Sequence, residues 1–255
     1  MSPTSFEIAI PSYKRHITLC KKTLPFLLNN GFPRDMITVF VANEEEASLY
    51  RRTVPTDIAI VIGRLGINHQ RHFIESYYPQ GTKLLCCDDD ISRIKKLGQP
   101  MPLLEAVRRM FGICVQEQCY LWGIHPNDNG LSLKDEAVVG LRFIIGCFYG
   151  IIIKEPLPLS PSPFCEDFWR TIEAFKRDGK VIRFNCMGPT TRYVAEVGGL
   201  QEFRDPALQD AAFVELCRTY PQYVTLRKRE NKYTDARLNL ITEKRIQSPL
   251  QELSP

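Results

Sequence analysis

Leu84-Leu85-Cys86-Cys87-Asp88-Asp89-Asp90 is an apolar run of four residues that opens directly onto three carboxylates. The run has the length and apolarity of a strand buried on both faces. Three adjacent carboxylates repel one another unless a cation neutralises them, and hard divalent ions favour oxygen ligands. In extended backbone Asp88 and Asp90 point one way and Asp89 the other. Two readings stand: a D-x-D pair at a strand end, holding Mn²⁺ or Mg²⁺ against a diphosphate, or a solvated acidic turn capping the next helix.

Working outward, the residues before this run alternate strand and helix patterns. Phe6–Ile10, Ile37–Val41 and Ile58–Ile62 read as strands, and Ile17–Leu28, Glu44–Arg52 and His69–Tyr78 as helices, the first closed by Gly31. Short apolar strands between helices predict an α/β fold with a Rossmann-like, mostly parallel central sheet covered by helices. Such sheets bind ligands at the carboxyl ends of their strands. Each of those ends carries a polar cluster here: Pro11–Arg15, Asn43–Glu46, Gly63–Gly66 and Asp88–Asp90. Beyond residue 100, Leu103–Val115 reads as an amphipathic helix, Trp122–Ile124 and Val181–Phe184 as strands, and Leu141–Ile153 as one long strand crossing the sheet. Pro156–Pro163 holds four prolines in eight residues and is expected to be a mobile loop. Phe164–Asp178 reads as a helix closed by Gly179.

With 44% hydrophobic and 24% charged residues over 255, the chain has the composition of a globular protein with a proper core, not of a disordered tail, a collagen-like fibre or a coiled coil. No apolar run reaches the length of a membrane helix and no signal peptide is recognisable, so the expectation is an intracellular protein, cytoplasmic or nuclear, with no membrane partner. The nine cysteines are scattered without a CxxC pair and are expected to be buried and reduced. Residues 226–245 hold seven basic side chains against three acidic ones and so carry the whole net charge of +4. That segment either tracks phosphates or is an edge strand guarded by lysine and arginine.

Taken in order, Ile8–Arg15 (IAIPSYKR), Val39–Glu45 (VFVANEE), Gly66–Arg71 (GINHQR) and Cys87–Asp90 (CDDD) resemble the strand-end loops with which GT-A glycosyltransferases hold a nucleotide sugar. The series continues through Leu121–Asn129 (LWGIHPNDN), Ile145–Gly150 (IGCFYG), Glu166-Asp167 and Val181–Asn185 (VIRFN). Over residues 6–200 it resembles one branch, the TET-associated glycosyltransferases related to the base J glucosyltransferase. Two departures from that branch are His125, where an aromatic residue is usual, and Gly130-Leu131-Ser132, where an aromatic-rich stretch is usual.

The resemblance implies a single GT-A-like domain over 1–255, with a nucleotide-sugar-binding half at 1–100, an acceptor and catalytic half at 101–225, and a basic C-terminal segment at 226–255. It implies donor contacts from Pro11, Ser12, Tyr13, Arg15 and Asn43, then from Gly66, Gln70, Arg71, Asp88 and Asp89, with Asp88 and Asp90 on the metal. Trp122, Gly123, His125, Asn129, Gly146 and Tyr149 fall where sugar and acceptor contacts are expected. Asp167, or its neighbour Glu166, falls where a general base takes the acceptor's proton. The implied donor is a UDP-sugar, UDP-glucose above all, and the implied acceptor is a 5-hydroxymethylpyrimidine in DNA. A glycan or protein hydroxyl is the alternative acceptor, and an inactive DNA-binding or scaffold module the alternative function. Plainer roles stand beside these: Trp122 as core, Asn43 as a strand end, Arg71 on an outer helix face, His125 as a loop residue, and Glu166-Asp167 as complements to a helix dipole.

Overall fold

The computed structural model of the chain describes residues 5–98, 101–190, 198–199, 202, 205–228 and 234–251. Period-two alternation builds its central sheet. In β1 (Glu7–Pro11), Ile8 and Ile10 enter one core while Ala9 enters another; in β4 (Lys83–Cys87), Leu85 and Cys87 face the first core and Leu84 and Cys86 the second. Both sheet faces are therefore covered, which is why these strands read as continuous apolar runs.

The first half follows the expected alternation: α1 (His16–Lys21), α2 (Thr23–Asn29), β2 (Ile37–Val41), α3 (Glu44–Arg51), β3 (Ala59–Ile62) and α4 (Ile67–Tyr77) lie between and beside β1 and β4. The second half contributes β5 (Arg93–Lys96), α5 (Leu103–Gln116), β6 (Leu121–Ile124), β7 (Glu136–Leu141), β8 (Phe148–Ile152), α6 (Glu166–Asp178), β9 (Val181–Phe184) and β10 (Met187–Thr190). After them come α7 (Pro206–Thr219), β11 (Val224–Lys228), β12 (Thr234–Leu238) and β13 (Ile241–Gln247). Nine strands form one sheet in the order β13-β7-β9-β6-β8-β4-β1-β2-β3. All but β7 and β8 run the same way, so the sheet is mostly parallel, and it spans both halves of the chain. Two small antiparallel pairs, β5 with β10 and β11 with β12, lie outside it.

Three expectations are corrected. The helix read over Ile17–Leu28 breaks at Lys22 (φ −121°, ψ −78°), because Pro25 in the first turn of α2 cannot donate a hydrogen bond back into α1. The break has a use, for the buried Thr23 hydroxyl donates to the Asp88 carbonyl (2.8 Å) and accepts from the Ile91 N–H (2.9 Å). The long strand read over Leu141–Ile153 is not continuous: Leu141 ends β7, Phe148–Ile152 is β8, and a non-strand segment at 142–147 separates them. Backbone groups in that segment bond to side chains instead of a ladder: Ile144 N–H to Thr171, and the Ile144 and Gly146 carbonyls to Arg170 and Arg71. The proline loop is pinned to α4 instead of being loose, by Asn68 Nδ2 to the Ser160 carbonyl (2.9 Å), the Leu157 N–H to Glu75 (3.1 Å), and His72 Nδ1 to the Leu157 carbonyl (3.1 Å).

The basic stretch 226–245 is divided between two places. Arg227 and Lys228 end β11, whereas Lys244 and Arg245 lie on β13 at the sheet edge, paired with Glu117 and with Glu136 (2.7 Å). β13 thus fits the guarded edge strand, while Arg229 and Lys232 lie outside the described residues. All nine cysteines are free, and all but Cys20 and Cys217 are buried. Among the described residues no helix is long and apolar enough to cross a membrane.

Trp122 is core. It is fully buried and meets Phe111, Phe148 and Phe184 edge-to-face, with centroid distances of 5.3, 6.3 and 6.0 Å. Its cross-strand partner is Gly150, where an added Cβ would stand 2.2 Å from the indole ring. Gly150→Ala is therefore expected to lower stability by about 1–3 kcal/mol through overpacking, read as a shifted urea midpoint at unchanged slope. An unshifted midpoint would mean that the indole does not pack across Gly150.

Candidate active site

The carboxyl ends of β1 and β4, the start of α4 and the start of α6 surround one cleft of 660 Å³. That size suits a small-molecule ligand. Lining it from the first half are Pro11, Ser12, Tyr13, Arg15, Arg64, Leu65, Gly66, Gln70, Arg71 and Asp88–Asp90; from the second half come Gly146, Pro161, Pro163, Phe164, Glu166, Asp167 and Leu208. The expected donor and base residues are thus brought together, apart from Asn43.

β4 ends where the Asp88 N–H donates to the Cys147 carbonyl (2.9 Å), and the chain then turns through Asp89 and Asp90. The turn sorts the three carboxylates. Asp89 has 6% side-chain exposure; one oxygen accepts from Ser12 Oγ (2.6 Å) and the other faces Arg15 Nη1 (3.4 Å). Ser12 in turn shares a 2.6 Å hydrogen bond with Tyr50 Oη, which accepts from the Arg15 N–H (3.0 Å). Burial pushes the Asp89 carboxyl up to about 7, against the pull of Ser12 and Arg15. Asp90 lies 3.5 Å from Arg15 Nη1. Asp88 is a third exposed, with Oδ1 bonded to Arg71 Nη2 (2.8 Å) and with no hydrogen bond or ion pair to Oδ2 among the described residues.

Supporting residues fix the surrounding loops. Gly66 has φ +89°, which glycine adopts at little cost, and it opens α4. Gln70 is buried and closes the preceding loop, accepting from the Arg64 N–H (2.6 Å) and donating to the Val41 carbonyl (3.1 Å). Asn43 does not line the cleft. It caps α3 by accepting from the Glu46 N–H (2.9 Å), and Glu46 in turn accepts from the Lys14 N–H (2.8 Å), so Asn43 reaches the cleft only through the Pro11–Arg15 loop.

Arg71 is not on an outer face. Its Nη2 also donates to the Gly146 carbonyl (2.8 Å), and its Nη1 contacts Glu166. Glu166 takes a second guanidinium from Arg170 (2.8 Å), which stacks 3.9 Å above the Tyr149 ring. Tyr149 is therefore a buried floor under the arginines and no wall of the cleft. Asp167 accepts from the Phe168 N–H (2.9 Å), and burial pushes its carboxyl above the usual range in spite of Arg170 and Arg71. Trp122 and Gly123 lie in the core sheet away from the cleft, Gly123 leaving room for Ile144. His125 and Asn129 belong to a loop closed on itself, through His125 Nδ1 with the Asn127 carbonyl (3.0 Å) and Asn129 Oδ1 with the Leu131 N–H (3.1 Å). Neither lines the cleft.

Sequence reading missed Thr23, Tyr50, Asn68, His72, Glu75 and Arg170. Three of these carry a legible signal: Asn68, His72 and Glu75 share one face of α4 with Arg71 at helical spacing, a polar stripe turned inward.

The donor set fits a divalent cation in one specific way. The cleft is lined by five carboxyls and three guanidiniums, a formal shortfall of two positive charges. Asp88 and Asp90 offer two hard oxygen ligands, and among the described residues no three His, Cys, Asp or Glu side chains are grouped to enclose a metal. Two protein ligands with the rest from a bound diphosphate is an arrangement such a cleft accommodates.

No protein-family model matches the chain, and no curated protein matches it by sequence. Solved structures do match it in fold. The mannosyltransferase of Pyrobaculum calidifontis, solved with GDP-Man and Mn²⁺, is similar at TM-score 0.55 and 14% identity over 85% of this chain; the chain spans 66% of that protein's length. Glucosyl-3-phosphoglycerate synthase of Mycobacterium tuberculosis, solved with Mn²⁺, UDP and glucosyl-3-phosphoglycerate, is similar at TM-score 0.54 and 13% identity over 96% of this chain and 90% of its own. These likenesses establish the architecture as a GT-A glycosyltransferase-like fold.

Glu75 supplies a test of the stripe beneath the cleft. Burial raises its carboxyl above the ordinary value, partly offset by the Leu157 N–H. The folded state then holds the proton more tightly than the unfolded chain, so this group favours folding at acid pH. That contribution is lost as pH rises from the ordinary glutamate value through the folded one. Glu75→Gln should flatten the dependence of the urea midpoint on pH and be at least as stable as the parent at pH 8. A variant clearly weaker at pH 8 would show Glu75 to be an ionised, paired group.

Proposed function

We propose that the protein is a metal-dependent glycosyltransferase that moves a sugar from a nucleotide-diphosphate donor to an acceptor hydroxyl. The observation that carries this reading is the convergence of Ser12, Arg15, Arg71 and Asp88–Asp90 on one cleft, with Asp167 on the same cleft and Glu166 tied up by two arginines. The fold supports it, since the two neighbours above hold GDP-Man or UDP together with Mn²⁺.

Asp88 and Asp90 would hold Mn²⁺ or Mg²⁺, which when bound supplies charge neutralisation for the departing diphosphate. Arg15 and Arg64 line the cleft and would meet phosphate oxygens, which guanidinium groups pair in bidentate fashion. Arg71 contributes through Asp88 instead. The acceptor oxygen attacks the anomeric carbon as the bond to the diphosphate breaks, and its proton passes to Asp167. A carboxylate whose affinity for protons is raised by burial is better matched to an alcohol than an ordinary aspartate is. Glu166, neutralised from both sides, is the poorer base.

For the donor we propose a UDP-sugar, UDP-glucose first, and for the acceptor a 5-hydroxymethylpyrimidine in DNA, on the strength of the motif series through residues 6–200. One structural feature favours a polyanion: Thr234, the register partner of Lys228 in the β11–β12 pair, donates its N–H to Asp210 of α7 (3.1 Å), two residues beyond the cleft-lining Leu208. The broad test is diphosphate release with Mn²⁺ and a panel of nucleotide sugars, with and without hydroxymethylated DNA. Release from no donor in any combination would leave a module without transferase activity.

Asp167→Asn is expected to lower kcat by about two to four orders of magnitude while leaving donor affinity nearly unchanged. In the parent, activity should fall as pH drops through a value above the ordinary aspartate range, because the base must be ionised. Greater damage from Glu166→Gln would reverse the assignment. Replacing Arg227, Lys228 and Arg229 together by glutamine should flatten the log–log salt dependence of DNA binding by about 0.7–0.9 per lost phosphate contact. An unchanged slope would move the acceptor to a glycan or protein hydroxyl.

A further inference from the structure

Arg71 is a heavily committed polar side chain of the cleft. It projects from the inward polar stripe of α4, is 6% exposed, and serves three elements at once. Nη2 donates to Asp88 Oδ1 after β4 and to the Gly146 carbonyl before β8, both at 2.8 Å; Nη1 contacts Glu166 at the start of α6. Gly146 has no room for a side chain, because an added Cβ would lie 2.3 Å from Nη1. Glu166 is held on its other oxygen by Arg170 (2.8 Å), so its carboxylate cannot follow Arg71 if Arg71 moves. Asp88 is held by one oxygen while the other has no partner among the described residues, which sets a carboxylate orientation towards the cleft.

We infer that Arg71 is a positioning residue that couples the cation-binding carboxylate Asp88 to Glu166, so that the charge on Glu166 sets cation affinity through one shared guanidinium. The inference rests on reading Asp88 and Asp90 as the cation ligands. Its logic is charge partition. Two carboxylates share the Arg71 charge; if Glu166 becomes neutral, that charge falls on Asp88 alone and competes with the incoming cation. A guanidinium can do this because its fork presents two separate nitrogens to two partners, whereas an ammonium is a compact point charge on one nitrogen that does not span the two.

The test is a double-mutant cycle read as Mn²⁺ affinity, with MnCl₂ titrated in the presence of UDP or GDP and free Mn²⁺ followed by electron paramagnetic resonance. Turnover is not needed for the readout. Glu166→Gln should weaken Mn²⁺ binding by about five-fold or more in the parent, a typical size for coupling between sites. In an Arg71→Gln background the same change should alter affinity less than about two-fold, since coupled neighbours are non-additive. Should Arg71→Gln not fold, Arg71→Lys keeps the charge but loses the fork, and it should abolish the coupling equally. An equal loss from Glu166→Gln in both backgrounds would mean plain through-space attraction between Glu166 and the cation and would overturn the role given to Arg71. A parent protein that binds no Mn²⁺ with either nucleotide would overturn the cation-site reading itself, and the coupling with it.

Discussion

Five carboxyl groups gathered at one end of a buried sheet are the constraint that the rest of the site answers. A buried carboxylate without a partner is costly enough to neutralise itself or to unfold its surroundings. Two solutions appear side by side. Arg15, Arg71 and Arg170 compensate Asp88, Asp89, Asp90 and Glu166 by ion pairing. Asp89 and Asp167 also respond by holding their protons more tightly. Among the side chains that line the cleft, carboxyls still outnumber guanidiniums, which suits a ligand that brings positive charge with it.

Every one of these compensating contacts is long-range in sequence except the Glu166–Arg170 pair within α6. Arg15 reaches residues 74 and 75 positions away, and Arg71 reaches Gly146 at 75. The charges are tolerable only once β1, β4, α4 and α6 have assembled. Site and sheet therefore form together, and the glycines at 146 and 150 show how closely they are fitted: one clears Arg71 and the other clears Trp122.

The first half of the fold was legible because local signals agreed there. Buried strands showed as apolar runs, and polar clusters marked their ends, so Ser12, Arg15, Gly66, Arg71 and Asp88–Asp90 could be read as one group. The second half was harder for a physical reason. In 142–147 the backbone is satisfied by Thr171, Arg170 and Arg71 instead of by neighbouring strands, and no local pattern reveals bonds made to side chains far along the chain. Aromatic residues misled in the same way. Trp122 and Tyr149 stand in motif-like surroundings, yet one packs among phenylalanines and the other underlies two arginines. The helix α7 went unread, although Asp205, which accepts from the Ala207 and Leu208 N–H groups ahead of Pro206, is a start signal present in the sequence.

The wall of the cleft made by Pro161, Pro163 and Phe164 belongs to a loop whose shape is set from outside itself. Asn68, His72 and Glu75 hold its backbone, and all three are on a helix more than eighty residues earlier. The loop and that helix face are consequently one heritable unit divided in sequence. Grafting 156–163 alone onto a related scaffold would transfer its prolines without its conformation. The shape of this wall is thus expected to drift through paired changes at the two places, and a chimera with a crossover between them would inherit a wall that fits neither parent's cleft.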